Sequence, residues 1–252
     1  METINILWTG GWDSTFRVIE LSREKVKIQP YYVLDNTRNS QKNELETINK
    51  ISEKLKKFKD TKAEILPIKL IEMDSIEKNE EITHIYIKMH KKYKIGSQYD
   101  YLARLALNVD NLELGLENEP SSKALNFINL CGKLKKTKIK GIDTYVLDTE
   151  NSKEELIKLF GNLNFPIIDK SKMEMKKITD KMGYKTIMDM TWFCHNPINN
   201  EPCGFCNPCI STIRSGFSYR FPENSLKRYK RRKIDRIVRK IKKVYKKCLK
   251  HT

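Results

Sequence analysis

Nowhere in this 252-residue chain does an apolar run approach the ~20 residues needed to span a bilayer, because charges interrupt every candidate segment. The opening METINILWTGGW has no charged n-region, no long apolar stretch and no small-residue cleavage site. Together these absences lead us to expect a soluble, cytoplasmic protein. No Gly-Lys pair is followed by Ser or Thr, which excludes a Walker A loop, and the first loop lacks the third glycine of a dinucleotide-binding fingerprint. An additional RNA-binding domain is not recognisable. The length fits one large domain or one domain with an appendage, and 39% hydrophobic with 32% charged residues is slightly polar for a globular chain.

Net charge is +17, which first suggests a nucleic-acid binder, but the charge is concentrated at one end. From Leu226 to Thr252 fourteen Lys and Arg face a single acidic residue, Asp235, so only +4 remains for the first 225 residues. The body and the tail therefore need separate explanations.

Ile4 to Trp8 is a short apolar run broken by Asn5, ending at Thr9-Gly10-Gly11-Trp12-Asp13-Ser14-Thr15. Phe16, Val18, Ile19 and Leu21 then follow helical spacing, so the order is strand, loop, helix. Two glycines let the backbone turn sharply and bring its N–H groups close to an anion. Asp13, Ser14 or Thr15 can cap the helix, whose N-terminus adds positive potential. The segment reads as a phosphate cradle, with an ordinary capped glycine turn as the plain alternative.

The Gly-Gly-x-Asp-Ser core resembles the PP-loop signature Ser-Gly-Gly-x-Asp-Ser of N-type ATP pyrophosphatases, with Thr9 in place of the first serine. The resemblance implies a loop that grips the pyrophosphate leaving group of ATP, with magnesium, while the α-phosphate is attacked. It makes Thr9, Gly10, Gly11, Asp13, Ser14 and Thr15 phosphate-site candidates, with Asp13 and Ser14 closest to catalysis. Pro30 to Asp35 reads as a second strand, and Leu45, Ile48, Ile51, Leu55 and Phe58 mark a long helix. The β, α, β, α alternation argues for a parallel sheet, whose ligands sit beyond the carboxyl ends of the strands. In the family this strand end borders the adenosine, which makes Asp35 a cofactor candidate; a strand-terminating Asp is the equal alternative.

Farther along, Ala63 to Leu70 reads as a third strand, Tyr101 to Val109 as a helix and Leu112 to Glu117 as another strand with a loop. Gly115 and Glu117 either line the nucleotide pocket or form a strand-end turn. His84 and His90 lack ligand-like spacing and read as surface residues.

Cys194, Cys203, Cys206 and Cys209 form Cys-x8-Cys-x2-Cys-x2-Cys, with Gly204 easing the turn. Four thiolates this close read as a tetrahedral, structural zinc site with no vacancy for water. Disulfides and an iron–sulfur cluster are the alternatives, and an intracellular setting disfavours disulfides. Cys131 and Cys248 have no nearby partners and read as buried or incidental thiols.

The glycine loop, Thr191-Trp192-Phe193-Cys194 and Cys203-Gly204-Phe205-Cys206-Asn207-Pro208-Cys209 together resemble the 7-cyano-7-deazaguanine synthase family. The stretch from Pro166 to Glu174 is similar to the segment leading into that family's zinc knot, and the likeness covers about residues 3–214. It implies an adenine nucleotide α-hydrolase-like (HUP-type) α/β core over 1–185 and a zinc-knot lobe over 186–225, while the basic tail over 226–252 lies beyond it. It also implies an ATP-dependent carbon–nitrogen ligase of queuosine biosynthesis, which adenylates a deazapurine carboxylic acid for attack by ammonia. Thr9, Phe193 and Gly96-Ser97-Gln98, where related synthases carry Gly-Arg-Asn, depart from the pattern. A tRNA-modifying PP-loop enzyme adenylating a base carbonyl is the second reading. A zinc-stabilised binding module with a degenerate nucleotide site is the third.

In the tail, Ile234, Ile237, Val238, Ile241, Val244, Tyr245, Cys248 and Leu249 match helical spacing among Lys and Arg. A basic amphipathic helix of this kind packs on the body or on a second subunit of a homodimer, or contacts an acidic partner, RNA or an anionic membrane surface.

Overall fold

The computed structural model describes residues 1–232, and all but the first few residues of the expected tail helix lie outside them. The chain divides into two units: Met1–Asn36 with Glu44–Trp192, and Thr37–Asn43 with Phe193–Thr252.

The first unit begins with β1 (Thr3–Leu7), α1 (Trp12–Ser22), β2 (Lys27–Leu34) and α2 (Gln41–Lys56), the last of which starts in the second unit. It continues through β3 (Glu64–Ile65), β4 (Lys69–Glu72), α3 (Glu80–Tyr93), α4 (Gln98–Leu105), β5 (Leu112–Glu113), α5 (Lys123–Cys131), β6 (Leu134–Ile139) and β7 (Ile142–Leu147). The remaining elements are α6 (Glu154–Phe160), β8 (Leu163–Asn164), α7 (Lys172–Lys181) and α8 (Lys185–Met188). The strands form one mixed sheet in the order β3-β2-β1-β5-β8-β7-β6, with β4 also on β2. Pairings among β1, β2, β3, β4, β5 and β8 are parallel, while β7 runs antiparallel to both β6 and β8. This is the mostly parallel α/β architecture that the opening alternation of periods implies.

Helices cover both sheet faces, so the inner strands are buried almost throughout; β2, KIQPYYVL, is buried from Ile28 to Val33. On one side α3, α4, α5 and α6 close over an aromatic core in which Tyr99 and Phe160 lie 4.9 Å apart, and Phe127 and Phe160 5.8 Å. Elsewhere in the unit α1 contacts α7 and α8, and Tyr184 stacks on Phe58 at 4.1 Å.

The strand expected over Ala63–Leu70 is in fact two short strands. Residue 67 is a proline with no N–H to donate, and the break falls opposite Pro30 of β2, which has none either. Gln29 repairs the gap: its buried Nε2 donates to the carbonyls of Pro67 at 2.9 Å and Pro30 at 3.1 Å. At the far edge, β6 carries exposed Lys135, Lys136 and Lys138, the last two paired with Asp143 of β7. His84 and His90 are exposed on α3, as expected, and Cys131 is buried with its thiol donating to Tyr93 Oη at 3.3 Å.

One ion pair ties the first helix to the middle of the sheet. Arg17 of α1 donates through Nε and Nη2 to both oxygens of Glu113, the last residue of β5, at 2.8 and 2.7 Å. Both side chains are buried, and Arg17 also reaches Glu20 at 3.2 Å and the Asp143 carbonyl at 3.2 Å. Removing one partner strands the other charge in the interior. Arg17→Met will lower stability by about 3–5 kcal/mol in urea unfolding, and adding Glu113→Leu will restore most of that loss.

Candidate active site and metal centre

The loop after β1 closes on itself. Trp8 is wholly buried and its Nε1 donates to Thr15 Oγ1 at 3.0 Å, while Thr9 N donates to Ser14 Oγ at 3.4 Å. Gly10 takes φ +69, and a Cβ there would stand 3.1 Å from the Glu44 carbonyl and 3.3 Å from the side chains of Thr47 and Ile48. Its own carbonyl accepts from Trp192 N at 2.8 Å. Gly11 is the N-cap of α1 and brings no side chain to its first amides, which leaves them available to an anion. Thr9 is exposed, Ser14 and Thr15 are buried, and Asp13 is half-buried in the first turn.

The parallel strands end along one sheet edge, so the loop after β1, half-buried Asp35 after β2 and Leu114–Glu117 after β5 share that edge. Only Leu112–Glu113 of the expected Leu112–Glu117 segment is strand. Gly115 explains the loop's course: a Cβ on it would lie 2.9 Å from Ser14 N and 3.1 Å from Ser14 Cα. No side chain fits where the two loops meet.

Lys172, the first residue of α7, hydrogen-bonds Glu117 Oε1 and lies in the field of Asp13. Asp13 Oδ1 and Glu117 Oε2 are closed off from solvent and accept no hydrogen bond among the described residues. Burial pushes the Asp13 carboxyl up, against the pull of Lys172. Burial and then the Asp13 charge push Glu117 up to about 7. Desolvation works against the Lys172 ammonium, but the two carboxylates outweigh it and hold its pKa above the ordinary lysine range. Two acids and one cation beside uncapped helix amides make a place where a divalent cation and phosphate oxygens can be held together. Asp13 and Glu117 are both candidates from the sequence, whereas Lys172 joins them only in the folded chain. Its signal was the capping box Ser171 to Glu174, which starts a helix at Lys172.

The second unit is built around its cysteines. Sγ atoms of Cys194, Cys203, Cys206 and Cys209 all lie within 4.8 Å of one another, and only Cys206 is not fully buried. Cys203 and Cys209 are 3.8 Å apart, and Cys194 and Cys206 3.9 Å. A tetrahedron of ~2.3 Å zinc–sulfur bonds has edges of about 3.8 Å, so the four thiols could hold a metal ion such as zinc. Peptide N–H groups already point at the sulfurs: Cys203 N donates to Cys194 Sγ at 3.1 Å, and Cys206 N to Cys203 Sγ at 3.3 Å. Hydrogen bonds from Cys194 and Cys209 draw Cys206 toward the thiolate form, and its sulfur in turn pushes Cys194 up to about 12. The Cys-x8-Cys excursion returns through Asn199 and Asn200, both with positive φ, between the paired Ile198 and Glu201. Cys209 sits in the first turn of α9 (Asn207–Arg214), with Pro208 at its start. His195 is exposed.

No protein-family model matches the chain, and no curated protein matches it. Among solved structures it is similar to a predicted subunit of a tRNA methyltransferase from Methanocaldococcus jannaschii. That likeness has 12% identity and a TM-score of 0.40, covering 71% of this chain and 75% of the other. No helix among the described residues is long and apolar enough to cross a membrane.

Elemental analysis of the purified chain will give one zinc per molecule, and Cys203→Ser will make it substoichiometric. For Glu117, a folded pKa of about 7 against an ordinary 4.5 means that the native state holds its proton longer than the unfolded chain. This stabilising contribution is complete below about 4.5 and is lost as pH rises through about 7. Relative to Glu117→Gln, wild-type stability will therefore fall across that window and then level off, measured by urea unfolding at a series of pH values.

Proposed function

We propose that the chain is an ATP-dependent ligase of the PP-loop type, which transfers AMP to a carboxylate so that ammonia or an amine can displace it. The observation that carries this reading is the meeting of the Gly10-Gly11 loop and Gly115 beside Asp13, Glu117 and Lys172, at the carboxyl edge of parallel strands. In it, the first amides of α1 bind the β- and γ-phosphates, and the Lys172 ammonium neutralises charge that builds on the departing pyrophosphate. Asp13 Oδ1 and Glu117 Oε2 would hold Mg2+, which supplies charge neutralisation across the phosphate oxygens.

The chemistry is a displacement at phosphorus. A substrate carboxylate oxygen forms a bond to the α-phosphorus as the bond to the pyrophosphate oxygen breaks, giving an acyl adenylate. Ammonia then adds to the acyl carbon and AMP leaves with the oxygen, giving an amide. A carboxylate oxygen is a poor leaving group, and attaching AMP makes it a good one. Thr191 to Cys194 and Cys203 to Cys209 favour a deazapurine acid, 7-carboxy-7-deazaguanine, whose amide is adenylated in a second round and loses AMP to give the nitrile. The zinc is structural in this reading and takes no part in these steps.

ATP turnover by the zinc-loaded protein with magnesium, resolving AMP from ADP, tests the proposal. AMP and a nitrile or amide product are expected with 7-carboxy-7-deazaguanine and ammonium. AMP formed only with tRNA, or none with any acid, would overturn the deazapurine assignment. Asp13→Asn and Lys172→Met will each lower kcat by about 10²–10³-fold with zinc content unchanged. Gly115→Ala will abolish nucleotide binding by pushing the loop away from Ser14.

A further inference from the structure

We propose that the second unit is a docking surface for a nucleic-acid phosphate backbone. The first observation is where the charge lies. Residues 37–43 and 193–252 carry eighteen Lys and Arg against three acidic residues, an excess of 15 out of the net +17, which leaves +2 for the rest of the chain. A sequence charged this strongly in one unit and nearly neutral in the other is not a general solubility device.

The second observation is how part of that charge is held. Residues 223–232 are helical, and one side of this helix is fastened to the cysteine loop. Arg228 donates from Nε to the Cys203 carbonyl at 2.9 Å and from Nη2 to the Pro202 carbonyl at 3.0 Å, while buried Ser225 also bonds the Pro202 carbonyl. Gly204, at φ +82, lets the loop approach so closely that a Cβ would fall 2.2 Å from the Ser225 carbonyl. Arg232 lies over the Phe205 ring at 5.8 Å. These contacts leave Lys227, which pairs with Glu223 at 2.8 Å, together with Lys230 and Arg231, at helical i, i+3 and i+4 spacing, exposed on the other side. Nine more Lys and Arg against one Asp follow in the sequence after Arg232.

On the described helical face of residues 223–232 the exposed side chains are all charged or polar, which suits phosphodiesters better than insertion into a membrane. Among the described residues of this unit, Tyr219 is the one exposed large hydrophobic side chain, at 53% exposure. An interfacial lipid binder presents Leu, Phe or Trp for insertion, whereas exposed Lys and Arg on a helix face suit contacts to backbone phosphates. This inference stands independently of the adenylation chemistry, since it uses none of the residues near Gly10.

Fluorescence anisotropy of the full-length zinc-loaded protein will test it, with a folded RNA hairpin, a DNA duplex, polyglutamate and vesicles of phosphatidylcholine with phosphatidylserine as probes. Binding to RNA or DNA is expected, weakening on the order of 10³-fold or more between 50 and 200 mM salt. The RNA and DNA arms identify which backbone is preferred. Lys227→Glu/Lys230→Glu/Arg231→Glu will weaken binding at least tenfold with zinc content unchanged. The same charge change placed on and just after α2, Lys50→Glu/Lys54→Glu/Lys57→Glu, will weaken it less than threefold. Equal loss in both triple variants, tighter binding to vesicles or polyglutamate, or no binding to either nucleic acid at 50 mM salt would overturn the proposal.

Discussion

The buried pair of Arg17 and Glu113 sets how the first helix lies on the centre of the sheet, and the geometry of the glycine loop after β1 depends on that placement. From the last residue of β5 onward, alternate residues 113, 115 and 117 meet the helix in turn. Glu113 holds Arg17, Gly115 touches Ser14 one turn earlier, and Glu117 faces Asp13. A salt bridge in the interior is weak evidence for net stability. Its value here is register: a bidentate fork admits one orientation, and sliding α1 by one residue would carry Ser14 off the glycine and Asp13 away from Lys172.

How much of this was legible in sequence follows from how local each signal is. The strand, loop and helix at the N-terminus could be read because an apolar run, two glycines and a helical repeat lie within 20 residues of one another. The cysteine cluster could be read from spacing alone, since short loops force nearby sulfurs together. Lys172 could not be assigned to the site: it reaches Glu117 across 55 residues of sequence, and only the folded sheet brings them together. The break between β3 and β4 was hidden for a similar reason, because it needs Pro30 and Pro67 to fall opposite each other. The β6–β7 hairpin escaped notice because LKKTKI is rich in lysine, a residue that strands disfavour except at edges.

The second unit uses a different economy of structure. Its core is small, and the buried polar backbone of the cysteine loop is satisfied by sulfurs, by Ser225 and by Arg228 rather than by a sheet. A metal ion held here would couple binding to folding: bringing four thiols within 4.8 Å of one another costs chain entropy, which a bound ion would offset.

The lysines of β6 have a consequence for the protein at high concentration. An edge strand offers a row of unpaired backbone groups to any other extended chain, and a second copy of the same edge is the nearest available match. Two β6 strands brought side by side would set Lys135, Lys136 and Lys138 of one against those of the other, with one Asp143 on each side to answer them. The repulsion disfavours edge-to-edge growth during synthesis and storage alike, so this hairpin acts as a gatekeeper against aggregation.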